Sequence, residues 1–96
     1  MLQYIIVKFT WDPEKAANNI RDHEGVTFEE AKTVFKDPHA LVEIDDASYE
    51  IRLNVTGFSV KSRVLFVVAI EVIDDEIRII SARRATKREK RNYASL

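Results

Sequence analysis

The stretch that decides the fold is YEIRLNVT, residues 49–56. Tyr49, Ile51, Leu53 and Val55 alternate with Glu50, Arg52, Asn54 and Thr56. That period of two sends one set of side chains into a core and the other into water. Residues 64–70, VLFVVAI, are apolar on both faces and read as a central strand. Residues 76–82 repeat this character apart from Arg78, and Asp74-Asp75 forms the turn between the two. With 57–61 as the first connection, the three strands make an antiparallel meander.

Outward from this meander, residues 40–44 read as a short strand ending in a turn at Asp45-Asp46. Residues 2–9, LQYIIVKF, are rich in β-branched and aromatic types and read as another strand. Between them the period becomes helical. Asp12 is an N-cap with Pro13 at the first helical position, where a missing N–H costs nothing. That helix is expected over about 13–23, with Ala16, Ile20 and His23 along one face and Gly25 as a left-handed stop. Thr27 and Glu30 form a capping box for a second helix, whose stripe is Phe28, Ala31, Val34 and Phe35. Asp37-Pro38 ends it near residue 36. Thr86 and Glu89 form another capping box, opening a short helix that runs to about Tyr93. The order β-α-α-β-β-β-β-α predicts one α+β domain over residues 1–96. Its mostly antiparallel sheet carries the two N-terminal helices on one face.

Composition narrows the function. The chain has 96 residues, 46% of them apolar, enough for one core without staples. It contains no Cys, which excludes thiol catalysis and thiolate metal sites and fits a reducing, cytoplasmic setting. No apolar run approaches the roughly 20 residues of a membrane span, and no signal peptide is read at the N-terminus. His23 and His39 lack metal-ligand spacing, and nucleophile-elbow, phosphate-loop and dinucleotide patterns are absent. Neither a metal nor a cofactor is expected.

The net charge of −1 is a cancellation. Residues 1–77 hold 8 Lys and Arg against 15 Asp and Glu, whereas residues 78–96 hold 7 against Glu89 alone. A basic end of this kind suits an anionic partner. Arg83 and Arg84 leave the end of a strand, a rigid place for planar guanidinium groups that fit phosphate. Lys87 and Arg88 fall in the first turn of the last helix, where the helix dipole opposes cations by ~0.3–1 kcal/mol each. Helix stability therefore does not explain them. A solvated helix face is nevertheless the commoner fate of such runs. Arg52 and Arg63 either extend the basic patch or pair with Glu50 or Glu71. Asp12, Lys15 and Asn19 follow one another on the first helix, and Trp11 reads as a core aromatic.

In order along the chain, Trp11-Asp12-Pro13-x-Lys15-Ala16-x-x-Asn19-x-x-x-His23 resembles the N-terminal signature of BrnT-type toxins. The likeness continues through Gly25-Val26-Thr27-Phe28-Glu29-Glu30-Ala31, Val34-Phe35-x-Asp37-Pro38 and residues 77–85, IRIISARRA, with Glu89 and Tyr93 in the closing helix. Glu24, between His23 and Gly25, is a departure from the pattern. The resemblance implies a RelE-like fold and a toxin of a type II toxin–antitoxin pair. It also implies RNA cleavage that inhibits translation, and neutralisation by a BrnA-type ribbon-helix-helix antitoxin. Operator DNA would be met only through the antitoxin complex. For such chemistry Arg83 and Arg84 are expected at the scissile phosphate. His23 is the acid–base candidate, because histidine titrates near neutrality, with Lys15 and Tyr93 behind it. Arg52, Arg63, Lys87, Arg88 and Tyr93 are expected to contact RNA. The alternatives are a non-catalytic module that grips RNA or antitoxin, and a degenerate toxin retained for operon repression.

Overall fold

The expected strand–helix order appears in the computed structural model, which describes residues 7–46 and 49–95. It runs β1 (Lys8–Thr10), α1 (Pro13–Asp22), α2 (Phe28–Thr33), a 3-10 turn (Val34–Lys36), β2 (Leu41–Asp45), β3 (Ile51–Phe58), β4 (Val64–Val72), β5 (Glu76–Arg84) and α3 (Lys87–Ala94). Of the strand expected over 2–9, residues 2–6 lie outside the described residues. The sheet order is β1-β5-β4-β3-β2, so the doubly apolar β4 is central. Only β1, parallel to β5, departs from antiparallel pairing.

Local chemistry sets the element ends. Asp12 accepts a hydrogen bond from the Glu14 N–H, and Pro13 opens α1. The helix ends at Asp22 with His23 as its C-cap, one residue earlier than expected. The following turn uses two left-handed residues, Glu24 (φ 53°) and Gly25 (φ 78°). Asp74 and Asp75 are both left-handed (φ 70° and 59°) within the three-residue turn 73–75 that joins Val72 to its partner Glu76. The Thr86–Glu89 capping box is complete. The one expected at Thr27–Glu30 is only half formed. Thr27 accepts from the Glu30 N–H, but the Glu30 carboxylate turns away to Ser59 and Arg63.

The core lies between one face of the sheet and α1–α2. Val26, Phe28, Ala31 and Val34 meet Leu53, Val55, Leu65, Val67, Ile79 and Ala82. Burying a side chain the size of Phe28 is worth roughly 1.5–3 kcal/mol. Trp11 stands edge-on to Phe28, with ring centroids 5.9 Å apart. The alternation over 49–56 holds only in part: Leu53 and Val55 are buried, but Tyr49 and Ile51 are exposed beyond the reach of the helices. Ile20 is likewise exposed, and the buried residue of α1 is Asn19.

Gly57 belongs to β3, not to the connection. A Cβ there would stand 2.7 Å from Val34 Cγ1 and 3.2 Å from Ala40 Cβ, so glycine lets the 3-10 turn lie directly on the strand. In β5 the register shifts by one. Val68 faces Ser81 while Ala69 faces Ile79, which makes Ile80 a bulge and extends the strand through Arg84.

Candidate RNA-binding site

The end of β5 organises the cationic surface. Its outer edge pairs with β1 only as far as Arg78. Beyond that point the Asn19 side chain takes the place of a neighbouring strand. Its Oδ1 accepts from the Ala82 N–H at 3.1 Å, and its Nδ2 donates to the carbonyls of Ala82 (2.8 Å) and Val26 (2.9 Å). Buried backbone groups need partners, and one amide supplies three. Asn19 thereby fixes the His23–Val26 turn against the strand that carries the arginines.

Arg83 and Arg84 then leave on opposite faces. Arg83 sits on the face away from α1 and α2, its Cζ 4.5 Å from the centre of the Phe66 ring. Its two terminal nitrogens donate to Glu89 Oε1 and Oε2, each at 2.9 Å. Glu89 holds the guanidinium firmly in its charged form, and Arg83 in turn keeps the Glu89 carboxyl below its ordinary range. Arg84 points towards Glu24, 3.7 Å away across an exposed gap. With Asp22, His23, Glu24 and Arg83 it lines an open cleft of about 210 Å³. An adjoining hollow brings Arg84 together with Arg63 and Lys90.

The face bearing Arg83 has a cross-strand order. Arg52 pairs with Ile70 and Ile70 with Arg78. One row along are Asn54, Val68 and Ser81, and then Thr56, Phe66 and Arg83. An apolar strip of Phe66, Val68 and Ile70 is thus flanked by Arg52 on one side and Arg78 and Arg83 on the other. These three apolar residues are only half-buried, since α3 lies over one corner of the face. Arg78 was not among the site residues expected from sequence. Its place as the lone cation in an apolar strand was the available signal.

Other expected site residues have different surroundings. Arg63 meets neither Glu50 nor Glu71; it is bonded twice to Glu30 while lining the hollow with Arg84 and Lys90. Arg52 does pair with Glu50, at 3.1 Å. Lys87 and Arg88 are exposed in the first turn of α3. Lys15 is exposed near the start of α1, roughly 12 Å of helix from His23 at a rise of 1.5 Å per residue, and so is not gathered into the cleft. The Tyr93 hydroxyl donates to Asp37 Oδ2 at 2.5 Å, which pushes its pKa up to about 12. Among the described residues no group of three or more His, Asp or Glu could hold a metal ion, and no helix is long and apolar enough to cross a membrane.

The family profile described as "Ribonuclease toxin, BrnT, of type II toxin-antitoxin system" matches residues 11–89, the segment from Trp11 through the Arg83–Glu89 pair. The chain belongs to the BrnT family. Its fold is similar to that of the Brucella abortus ribonuclease toxin BrnT, known from a 1.1 Å crystal structure. The similarity has a TM-score of 0.64 at 20% identity and covers 85% of this chain and 100% of that one. A comparison with curated proteins gave no match. In BrnT terms, Asn19, Glu30 and Glu89 have structural work in this chain: each ties a loop or helix to the sheet.

Proposed function

We propose that this chain is an endoribonuclease toxin that cleaves RNA without a metal ion, inhibits translation, and is neutralised by a BrnA-type antitoxin. The observation carrying this reading is the face on which Arg52, Arg78 and Arg83 flank Phe66, Val68 and Ile70. Cations that follow a phosphate backbone beside an apolar, partly aromatic strip are the general device for single-stranded nucleic acid. Cleavage by the RNA's own 2′-hydroxyl needs a base, an acid for the departing 5′-oxygen, and positive charge on the crowded phosphate. In this reading Arg83 and Arg84 supply the charge, and His23 in the cleft beside them handles the proton. Lys87 and Arg88 hold flanking phosphates.

The test is incubation of purified protein with end-labelled RNA in EDTA. Fragments with a 5′-hydroxyl and a cyclic or 3′-phosphate are expected. Their formation should fall by at least 10²-fold in His23→Ala and Arg83→Ala, and growth arrest on expression should be lost in parallel. One observation favours a second reading, a non-cleaving module for RNA or antitoxin: Glu89 already occupies both terminal nitrogens of Arg83. RNA that is bound in a salt-sensitive manner but recovered intact would select that reading.

A further inference from the structure

We infer that the outer edge of β2 is a docking edge for a partner protein strand whose side chains alternate aliphatic residues with Lys or Arg. Among the described residues β2 ends the sheet, so alternate N–H and C=O groups along it face outward. Val42 and Ile44 pair in register with the core residues Val55 and Leu53, yet they are 54% and 66% exposed. Ile51, 41% exposed, adjoins them. The apolar layer of the core thus continues past the helices to an uncovered edge.

The other face of the same strand is acidic. Glu43 and Asp45 alternate with the aliphatic pair, and Asp46 follows. Residues 41–52 contain Glu43, Asp45, Asp46 and Glu50 against Arg52 alone. An added strand has its side chains in the same two-residue period, so one set would cover Val42 and Ile44 while the other met the carboxylates. This charge pattern chooses the occupant. A second copy of β2 would bring Glu43 and Asp45 against like charges, which is unfavourable for direct cross-strand neighbours. A strand of alternating aliphatic and basic residues satisfies both faces. Glu43 and Asp45 pair with Asn54 and Arg52, at the far edge of the sheet face that also carries Arg83, but the inference needs none of the cations assigned there to RNA.

The experiment uses the whole protein and a synthetic heptapeptide of alternating Val and Lys as the probe, followed by amide exchange and NMR titration. Saturable binding with at least tenfold slower exchange of alternate β2 amides is expected. Glu43→Lys should weaken binding by tenfold or more, as should Ile44→Thr, which keeps a strand-forming residue at an exposed position. Circular dichroism then checks that both variants remain folded. A peptide alternating Val and Glu should not bind. The inference is overturned if neither peptide protects β2, if both peptides bind alike, or if sedimentation shows a dimer that Ile44→Thr dissociates.

Discussion

Arg63 grips the buried carboxylate of Glu30 with two hydrogen bonds, Nε to Oε2 at 2.8 Å and Nη2 to Oε1 at 2.6 Å. The Ser59 hydroxyl donates to Oε2 as well, so the β3–β4 connection is strapped to α2 through one side chain. Arg63, above all, holds the Glu30 carboxyl below its ordinary value of 4.5, against the opposing effect of burial. Removing the cation leaves a charge whose side chain is only 1% exposed. Arg63→Ala should therefore cost roughly 2–4 kcal/mol, somewhat less than a fully buried pair because the guanidinium is itself partly exposed. A depressed carboxylate contributes stability that is complete above the unfolded value and is lost as pH falls through the folded one. Urea unfolding at pH 7 and pH 3 should show wild type losing more stability than Glu30→Gln.

Asn19 offers a sharper test of how the arginine-bearing strand is held. Asn19→Ala strands the Ala82 N–H and two carbonyls, and loss of buried partners costs about 1–3 kcal/mol per group. We expect a destabilisation of about 3 kcal/mol. Asn19→Asp should do no better, because a carboxylate cannot donate to the Ala82 and Val26 carbonyls. Exposed Asn18→Ala serves as the neutral neighbour, expected within ~0.5 kcal/mol of wild type. Denaturant midpoints distinguish the three.

These two residues mark the boundary of what the sequence makes legible. Strand and helix order, the central place of β4, the Asp74-Asp75 turn and the Thr86–Glu89 box all follow from local pattern and agree with the structure. Arg63 and Asn19 act through partners 33 and 63 residues away, which no local spacing contains. The same holds for the bulge at Ile80. A strict period of two through residues 77–84 puts Arg78 and Arg84 together, whereas the extra residue puts Arg78 and Arg83 on the same face. Family motifs singled out residues 77–85. Which guanidinium faces where depended on a single-residue register shift.

Glu89 and RNA phosphates compete for the same two nitrogens of Arg83 in the proposed function. Glu89→Gln removes the negative charge while keeping an acceptor for the Thr86 N–H, so the start of α3 is retained. Affinity for a short single-stranded RNA should rise severalfold, and the salt dependence should steepen by about 0.7 in log K against log salt, one phosphate contact's worth. Arg83→Ala should change both in the opposite direction. Fluorescence anisotropy across a salt series reads the two slopes. An unchanged slope in Glu89→Gln would remove Arg83 from the phosphate path.

Tyr93 ties the end of the chain to the middle of it. Its hydroxyl donates to Asp37, whose carboxylate also accepts the N–H groups of Phe58 and His39. Burial pushes the Asp37 carboxyl up, but the bonds from Tyr93, Phe58 and His39 outweigh it and hold the group below its ordinary value. The phenol responds in the opposite sense: its hydrogen bond to Asp37, then burial and the Asp37 charge, raise it from 10.0 to about 12. A raised folded value contributes stability that is complete below the unfolded value and disappears as pH climbs through the folded one. Tyr93→Phe should thus cost about 1–2 kcal/mol near neutral pH, as expected for a hydrogen bond to a charged group at a partly exposed site. The difference between wild type and Tyr93→Phe should shrink as pH rises from about 10 towards 12. Asp37→Asn, which keeps an acceptor but removes the charge, should bring the Tyr93 titration back towards 10. Tyrosinate absorbance and urea unfolding at pH 8 and pH 11 test the two halves separately. If Tyr93→Phe matches wild type at pH 8, the latch has no energetic role, and Tyr93 is free for contact with RNA.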